Sequence, residues 1–465
     1  MGHMRRLTWL IPCLVLAGVA AAADPAAAAP RALLDVKRAE DVAVSGGAVL
    51  VAATTARGGA RLIAAPAAGG PAHTVLGVAP PGRRGWTSTT RLAASGQLAA
   101  LLVEFTDPEG DAREWRVYAG PPAGPFAVVQ RTLLRRPSRF WFPFDLDVHG
   151  DRLLVQEVRV PRPFFRLTVH APGMPPARLP QGPFGAPAAL AGDQVAYHGV
   201  TGRADARPLI RVVDWRTGRP AGSIELRRHS GDIEERHLDL ADGGRAVAAL
   251  DGGLYAGAPG ERAHRLRGSA RMAGLSTPRF AGARVAALAE ARHHSYRPVL
   301  IDPRTGSRHS LGPRSTALTS IAADETTVAW LANGCVLTAD TVDVAPLKAV
   351  PAGPCPRAEA VLDDHDRRLR GRSLRVRVTC VAAPRTGCRG IAVLGFDGRA
   401  GRGRFRVVAG RSRLVRVRLT RRGMAALRRQ HAYDPEAQLR LDARLTDGRV
   451  SLEAAPRFVF VRPPA

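Results

Sequence analysis

One pattern recurs along this chain and limits what it can fold into: a short apolar run, a turn of small residues, then a second short apolar run. It is clearest in "LDLADGGRAVAALDGGLYAG" (238–257). The same form recurs in "VAVSGGAVLVAA" (42–53), "RLAASGQLAALLVE" (91–104), "FDLDVHGDRLLVQE" (144–157) and "AALAGDQVAYHG" (188–199). It returns in "PRFAGARVAALAE" (278–290) and "TSIAADETTVAWL" (319–331). That makes about seven copies at intervals of roughly 40–54 residues, a period typical of stacked or radial repeat architectures. A chain of 465 residues is too long for one ordinary core, and a repeat array removes that difficulty. Long amphipathic stripes are scarce and Pro and Gly are spread throughout, so the chain reads as all-β with many tight turns.

A second feature follows each copy: a strand, a turn and another strand. "VVDWRTGRPAGSIEL" (212–226) and "LIDPRTGSRHSL" (300–311) share Asp-x-Arg-Thr-Gly, and "VYAGPPAGPFAVV" (117–129) matches "LYAGAPGERAHRL" (254–266). Asp opens such a turn, Pro presets φ, and Gly takes the left-handed position. Each repeat therefore supplies about four short antiparallel strands, the content of one propeller blade. Over most of 31–351 the repeat resembles the WD40-like and TolB-like β-propellers. The Gly-His and Trp-Asp signatures of true WD40 repeats are absent, while the turns at Asp214–Gly218 and Asp302–Gly306 are similar to the Asp-x-x-Thr-Gly turn common in those families. The resemblance implies a propeller of about seven four-stranded blades over 31–355, with six or eight compatible because the third blade is divergent. It also implies that "RALLDV" (31–36) supplies the outer strand of the last blade and locks the ring.

The ends of the chain carry other signals. Arg5 and Arg6 precede the apolar run 7–20, and "AAAAD" follows, so residues 1–23 read as a signal peptide and 24–30 as a flexible leader. Cys13 in "LIPC" faintly suggests a lipoprotein signal, against which stand Pro12 and the apolar residues beyond it. No later segment is long and apolar enough to span a bilayer. These features predict a secreted or envelope-associated protein. The remaining cysteines, Cys335, Cys355, Cys380 and Cys388, are even in number and read as disulfides. Three pairings are open, and the sequence-near one, Cys335–Cys355 with Cys380–Cys388, is the simplest.

Composition shifts after Cys355. Residues 356–371 are charged and lack an apolar stripe, so they read as a linker. Strict alternation follows: in "SLRVRVTC", Leu374, Val376, Val378 and Cys380 share one face and Arg375 and Arg377 the other. "RLVRVRL" repeats it with Arg416 and Arg418, and "QLRLDARL" carries Arg440 and Arg444. Residues 372–465 thus predict a basic domain similar in architecture to the immunoglobulin-like β-sandwiches appended to exported bacterial proteins, with "TRRGMAALRRQ" as a short helix. The formal net charge is +28, and more than half of it falls in this segment. The basic residues are nearly all Arg, Lys37 and Lys348 being the only lysines, and codon usage in a GC-rich genome is the competing explanation.

The familiar catalytic motifs are absent from the sequence. There is no Gly-x-Ser-x-Gly elbow, no His-Glu-x-x-His, no phosphate-binding loop and no sialidase-type Asp box. No cofactor is implied. "DLDVHGD" sets Asp145, Asp147, His149 and Asp151 in a weak echo of a calcium loop, but His149 replaces an oxygen ligand and no Glu closes it, so a blade hairpin is the favoured reading. His229, His237, His293 and His294 lie in loops crowded with arginine, which opposes a metal site. "RFWFPF" gathers Phe140, Trp141 and Phe142 as a candidate aromatic patch for a sugar or protein, against core packing between blades. The arginines 375, 377, 416, 418, 440 and 444 form the candidate anion-binding face. The resulting expectation is an exported, non-enzymatic binding or scaffold protein whose partner is an envelope protein or anionic polymer; export disfavours nucleic acid. The alternative is a propeller-type hydrolase or lyase acting on an extracellular polymer, which needs carboxylates converging on the channel.

Overall fold

The computed structural model describes residues 31–341 except 83–84, 111, 135–140, 160–163, 180–186, 202–206, 227–237, 251, 270–273, 292–294, 313–317 and 333–334. It also describes residues 359–460 except 364–371, 383–386, 396–400, 409–410, 434–437 and 446–456. The expected signal peptide and leader, Cys355, Phe140 and the four loop histidines lie outside the described residues.

Seven four-stranded antiparallel sheets follow one another along the chain and form a β-propeller. Their first strands are Ala39–Ser45, Thr87–Ser95, Trp141–His149, Ala188–Ala191, Leu238–Leu240, Leu275–Ala281 and Leu318–Ala323, and these line the axis. Each of the seven repeat copies read from the sequence falls in one blade. The divergent third blade, over Trp141–Arg178, is complete, with a two-residue outer strand Ala177–Arg178. The last blade takes its outer strand from the other end of the chain: Arg31–Asp35 pairs with Cys335–Asp340, with Arg31 opposite Thr338 and Asp35 opposite Cys335. Radial closure of this kind hides strand edges that would otherwise be exposed.

The core is a ring of separate clusters, each between two neighbouring blades. Leu62, Leu101 and Phe105 fill the junction of blades 1 and 2; Leu154, Leu190 and Trp215 fill that of blades 3 and 4. Leu288, Leu300 and Trp330 fill that of blades 6 and 7. The Asp-x-Arg-Thr-Gly turns behave as their sequence requires. Asp214 Oδ1 accepts the amides of Arg216 (3.0 Å) and Thr217 (2.8 Å), and Gly218 sits at φ +68°. Asp302 and Gly306 repeat the arrangement in blade 6.

The C-terminal region differs from expectation in two respects. The segment read as a linker contributes a strand, Glu359–Asp363, which pairs along Ser373–Ala382. An edge strand needs only one neighbour, and "AVL" between charged residues suffices. The strands also form one hydrogen-bonded order, not two separate sheets: Glu359–Asp363, Ser373–Ala382, Ser412–Leu419, Gly401–Val407, Cys388–Gly395, Gln438–Leu445, Arg457–Phe460. Continuity comes from Gly401–Val407, which bonds to strands on both sides. The helix Arg421–Tyr433 is present, its Thr420 hydroxyl accepting the Gly423 amide at 2.9 Å. Cys380 and Cys388 form a disulfide across a short connection. Cys335 is also disulfide-bonded.

Trp330 is fully buried, and its ring fills the space beside Gly312. Replacing Trp330 by Ala is expected to destabilise the propeller by about 3–5 kcal/mol in denaturant titration. Val128→Thr, on the exposed outer strand of blade 2, should stay within about 0.5 kcal/mol of wild type.

Candidate functional site

The axis of the propeller encloses a cavity of about 450 Å³ lined by Asp41, Asp147, Asp239, Arg279 and Ser320 from the inner strands. Three of these carboxylates repeat one arrangement. Asp41 Oδ1 accepts the amide of the next residue, Val42 (3.0 Å), and Oδ2 accepts the Leu92 amide of the following blade (2.8 Å). Asp147 does the same with Val148 (2.9 Å) and with Leu190 of the following blade (2.6 Å). Asp239 accepts the Phe280 amide of the following blade at 2.6 Å. Each carboxylate ties an odd-numbered blade to its even-numbered successor. Ser320 of blade 7 donates to Asp41 Oδ1 at 2.5 Å and ties the last blade to the first. Gln156 adds a two-way bond to Ala188, donating at 2.8 Å and accepting at 3.0 Å.

Burial and the neighbouring Asp239 push the Asp147 carboxyl up to about 7. Burial likewise raises Asp239, opposed by Arg279, by amides at Phe280 and Leu240, and by His149. Toward one mouth, His149 Nε2 lies 3.2 Å from Asp242 Oδ1, with Asp324 and Glu325 also on the rim. Two buried carboxyls with displaced proton affinities are the raw material of acid–base chemistry. Here, however, their oxygens already accept amide hydrogen bonds in a pattern shared with Asp41 at three blade junctions, which is the signature of a structural latch.

The four residues of the calcium-loop echo do not gather. Asp145 is buried, Asp147 faces the channel, His149 turns to Asp242, and Asp151 is exposed beside Arg152 at 3.7 Å. Among the described residues no three His, Cys, Asp or Glu side chains group to hold a metal. The aromatic run also divides, because successive strand residues face opposite ways. Phe142 stacks on Trp115 of blade 2 at 4.9 Å, as core packing requires. Trp141 lies under two guanidinium groups, Arg166 at 4.6 Å and Arg159 at 5.6 Å.

Four of the six candidate arginines, Arg375, Arg377, Arg416 and Arg418, stand on adjacent strands, and Arg440 and Arg444 lie farther along the same sheet. Strands Ser373–Ala382 and Ser412–Leu419 are neighbours, with Arg375 directly opposite Arg416 and Arg377 opposite Leu414. Arg440 and Arg444 stand on the strand beside Cys388–Gly395, opposite Gly395 and Ile391. The sequence reading missed four more members: Arg402, Arg404 and Arg406, and Arg389. Arg402 lies opposite Arg418, and Arg389 opposite Arg406. All four are exposed, while Gly403, Phe405 and Val407 turn inward. The signal was present in "GRGRFRV", but two of its inward positions are glycines and do not read as an apolar face. Only glycine fits there: a Cβ on Gly403 would lie 2.4 Å from the Arg416 carbonyl oxygen, and one on Gly401 2.9 Å from that of Arg418.

No protein-family model matches this chain, and no curated protein matches it. Among solved structures it aligns with the β-propeller domain of the trilobed protease from Pyrococcus furiosus, at 9% identity and TM-score 0.43, over 66% of this chain and 99% of that one. It aligns with a prolyl endopeptidase at 15% identity and TM-score 0.46, over 75% of this chain but only 54% of that one. The WD40 domain of SCAP from fission yeast aligns at 9% identity and TM-score 0.34, over 64% and 83% of the two chains. At these identities the likeness concerns the fold alone.

The Asp147 latch has a pH signature. An unfolded Asp loses its proton near pH 4 and the folded Asp147 near pH 7, so the folded state holds the extra proton between these values. This carboxyl therefore weakens stability as pH rises through that window. In Asp147→Asn that dependence disappears: the melting temperature of wild type should rise relative to the variant as pH falls from about 7.5 to about 5. Parallel profiles across the window contradict the assignment.

Proposed function

We propose that the protein is an exported binding protein that docks on anionic surfaces of the cell envelope through the arginine face of its C-terminal domain, with the propeller as the scaffold that presents loops and channel to a further partner. One observation carries this reading: three directly opposed arginine pairs on adjacent strands, 375/416, 402/418 and 389/406. Like charges placed opposite each other cost roughly 0.2–1 kcal/mol per pair. None of these six arginines is in an ion pair with a described residue. A guanidinium fork binds phosphate or carboxylate oxygens in pairs, so an anionic surface supplies the missing neutralisation. Export is supported by the signal-like N-terminus and the Cys380–Cys388 disulfide, and among the described residues no helix is long and apolar enough to cross a membrane.

The hydrolase or lyase reading draws on Asp147 and Asp239 in the channel. Their use as blade-to-blade acceptors, shared with Asp41, weighs against it.

The test is titration of the full chain with inorganic polyphosphate at low salt. Arg416→Glu with Arg418→Glu should weaken binding at least tenfold, a change of about 1.4 kcal/mol. Unchanged affinity in the double variant overturns the reading and leaves codon usage as the account of these arginines.

A further inference from the structure

Large apolar side chains are rarely exposed among the described residues. Among these residues the exposed ones are Val128, Val129 and Leu133 on the outer strand of blade 2, Met174 in blade 3, and two in the C-terminal domain, Val408 and Leu414. The last two belong to one hairpin. Gly401–Val407 and Ser412–Leu419 are joined by a turn closed by the Arg411 amide donating to the Val408 carbonyl at 3.0 Å. Val408 follows the first strand at this turn and is 70% exposed; Leu414 is near the start of the second and is 42% exposed. Arg406, Arg411 and Arg413 flank them, all exposed, and the Arg413 guanidinium reaches the Arg406 carbonyl oxygen at 3.4 Å. Leu414 stands opposite Arg377, on the same outward face as Arg375, Arg416 and Arg418.

The end of the basic face is therefore an aliphatic tip ringed by arginine. A soluble polyanion has no use for Val408 and Leu414, whereas a bilayer offers both partners at once: anionic headgroups for the guanidiniums and an acyl boundary for the aliphatic groups. We infer that the hairpin tip at Val408 and Leu414 inserts into an anionic lipid bilayer while the adjoining arginines rest on its headgroups. This deepens the anionic-surface reading and rests on it, naming phospholipid as the surface. Arginine side chains suit the role because their aliphatic stems lie along apolar surface while the charged ends stay at headgroup level. Leu414 lies within a strand whose residues there are already paired, Ser412 with Thr379 and Arg413 with Val378, so backbone brought to the acyl boundary arrives with its hydrogen bonds made, as backbone solvation demands.

The experiment uses the full chain in co-sedimentation with vesicles of equal parts phosphatidylglycerol and phosphatidylcholine, beside the titration with inorganic polyphosphate. Val408→Ser with Leu414→Ser should lower vesicle affinity at least tenfold while leaving polyphosphate affinity within twofold. Circular dichroism of that variant should match wild type, because both side chains are exposed. Val128→Ser, an exposed aliphatic change on the propeller, should leave vesicle binding unchanged. Vesicle binding by the double Ser variant equal to wild type overturns the inference. So does a wild-type chain that binds polyphosphate but not vesicles, which would make a soluble polymer the ligand. A wild-type chain that binds neither overturns the anionic-surface reading itself.

Discussion

A propeller holds together only if each blade is fixed to the next at the axis, where strands are short and side chains few. At three of the seven junctions this is done by a carboxylate accepting a backbone amide of the next blade: Asp41 from Leu92, Asp147 from Leu190 and Asp239 from Phe280. Charge-assisted bonds of this type are stronger than neutral ones, and in a buried channel they escape screening. Their cost is burial of the carboxyl, joined at Asp147 by the nearby Asp239, and it is visible in the raised proton affinities of both groups. Apolar clusters between blades and the N-terminal strand on blade 7 then close a ring whose inner registers are already set.

Charge is segregated by role. In the propeller, arginines neutralise buried acids: Glu114 binds Arg116 and Arg131, and Glu157 binds Arg166. In the C-terminal domain six arginines stand opposite one another in pairs, 375/416, 402/418 and 389/406, and none of the six is in an ion pair with a described residue. That domain tolerates the repulsion through an apolar underside of Leu374, Val376, Val378, Val415, Val417 and Leu419, and through the Cys380–Cys388 disulfide. A disulfide over so short a loop contributes roughly 2–4 kcal/mol. Local rules broken without compensation at one surface mark the place where function is expected.

The blades were legible because each is a local object. Its hairpins are set by turn residues a few positions apart, such as Asp214 to Gly218, and its strands by alternation within a few residues. The number of blades followed from counting such units, and the closing role of residues 31–36 from the resemblance to β-propellers. The latches were not legible in the same way, because the partner of Asp41 or Asp147 is a backbone amide tens of residues away and carries no side-chain identity. A clue existed in the recurrence of Asp followed by Val or Leu at 41, 147 and 239, one copy of which was read as a faint metal loop. The arginine face was half legible: Arg375, Arg377, Arg416 and Arg418 alternate with apolar residues. Arg402, Arg404 and Arg406 alternate partly with glycine, whose need appears only when the Arg416 and Arg418 carbonyls are seen to crowd the strand. The strand Glu359–Asp363 escaped notice because a single pairing edge sets so weak a pattern.

The central claim is that the arginine face acts as a unit on an anionic surface, and ionic strength probes it most directly. Each guanidinium that displaces a counterion from a polyanion steepens the fall of affinity with salt. The measurement is the slope of the logarithm of polyphosphate affinity against the logarithm of sodium chloride concentration for the full chain. Engagement of several arginines predicts a negative slope with magnitude on the order of three or more. A slope near zero would contradict the account.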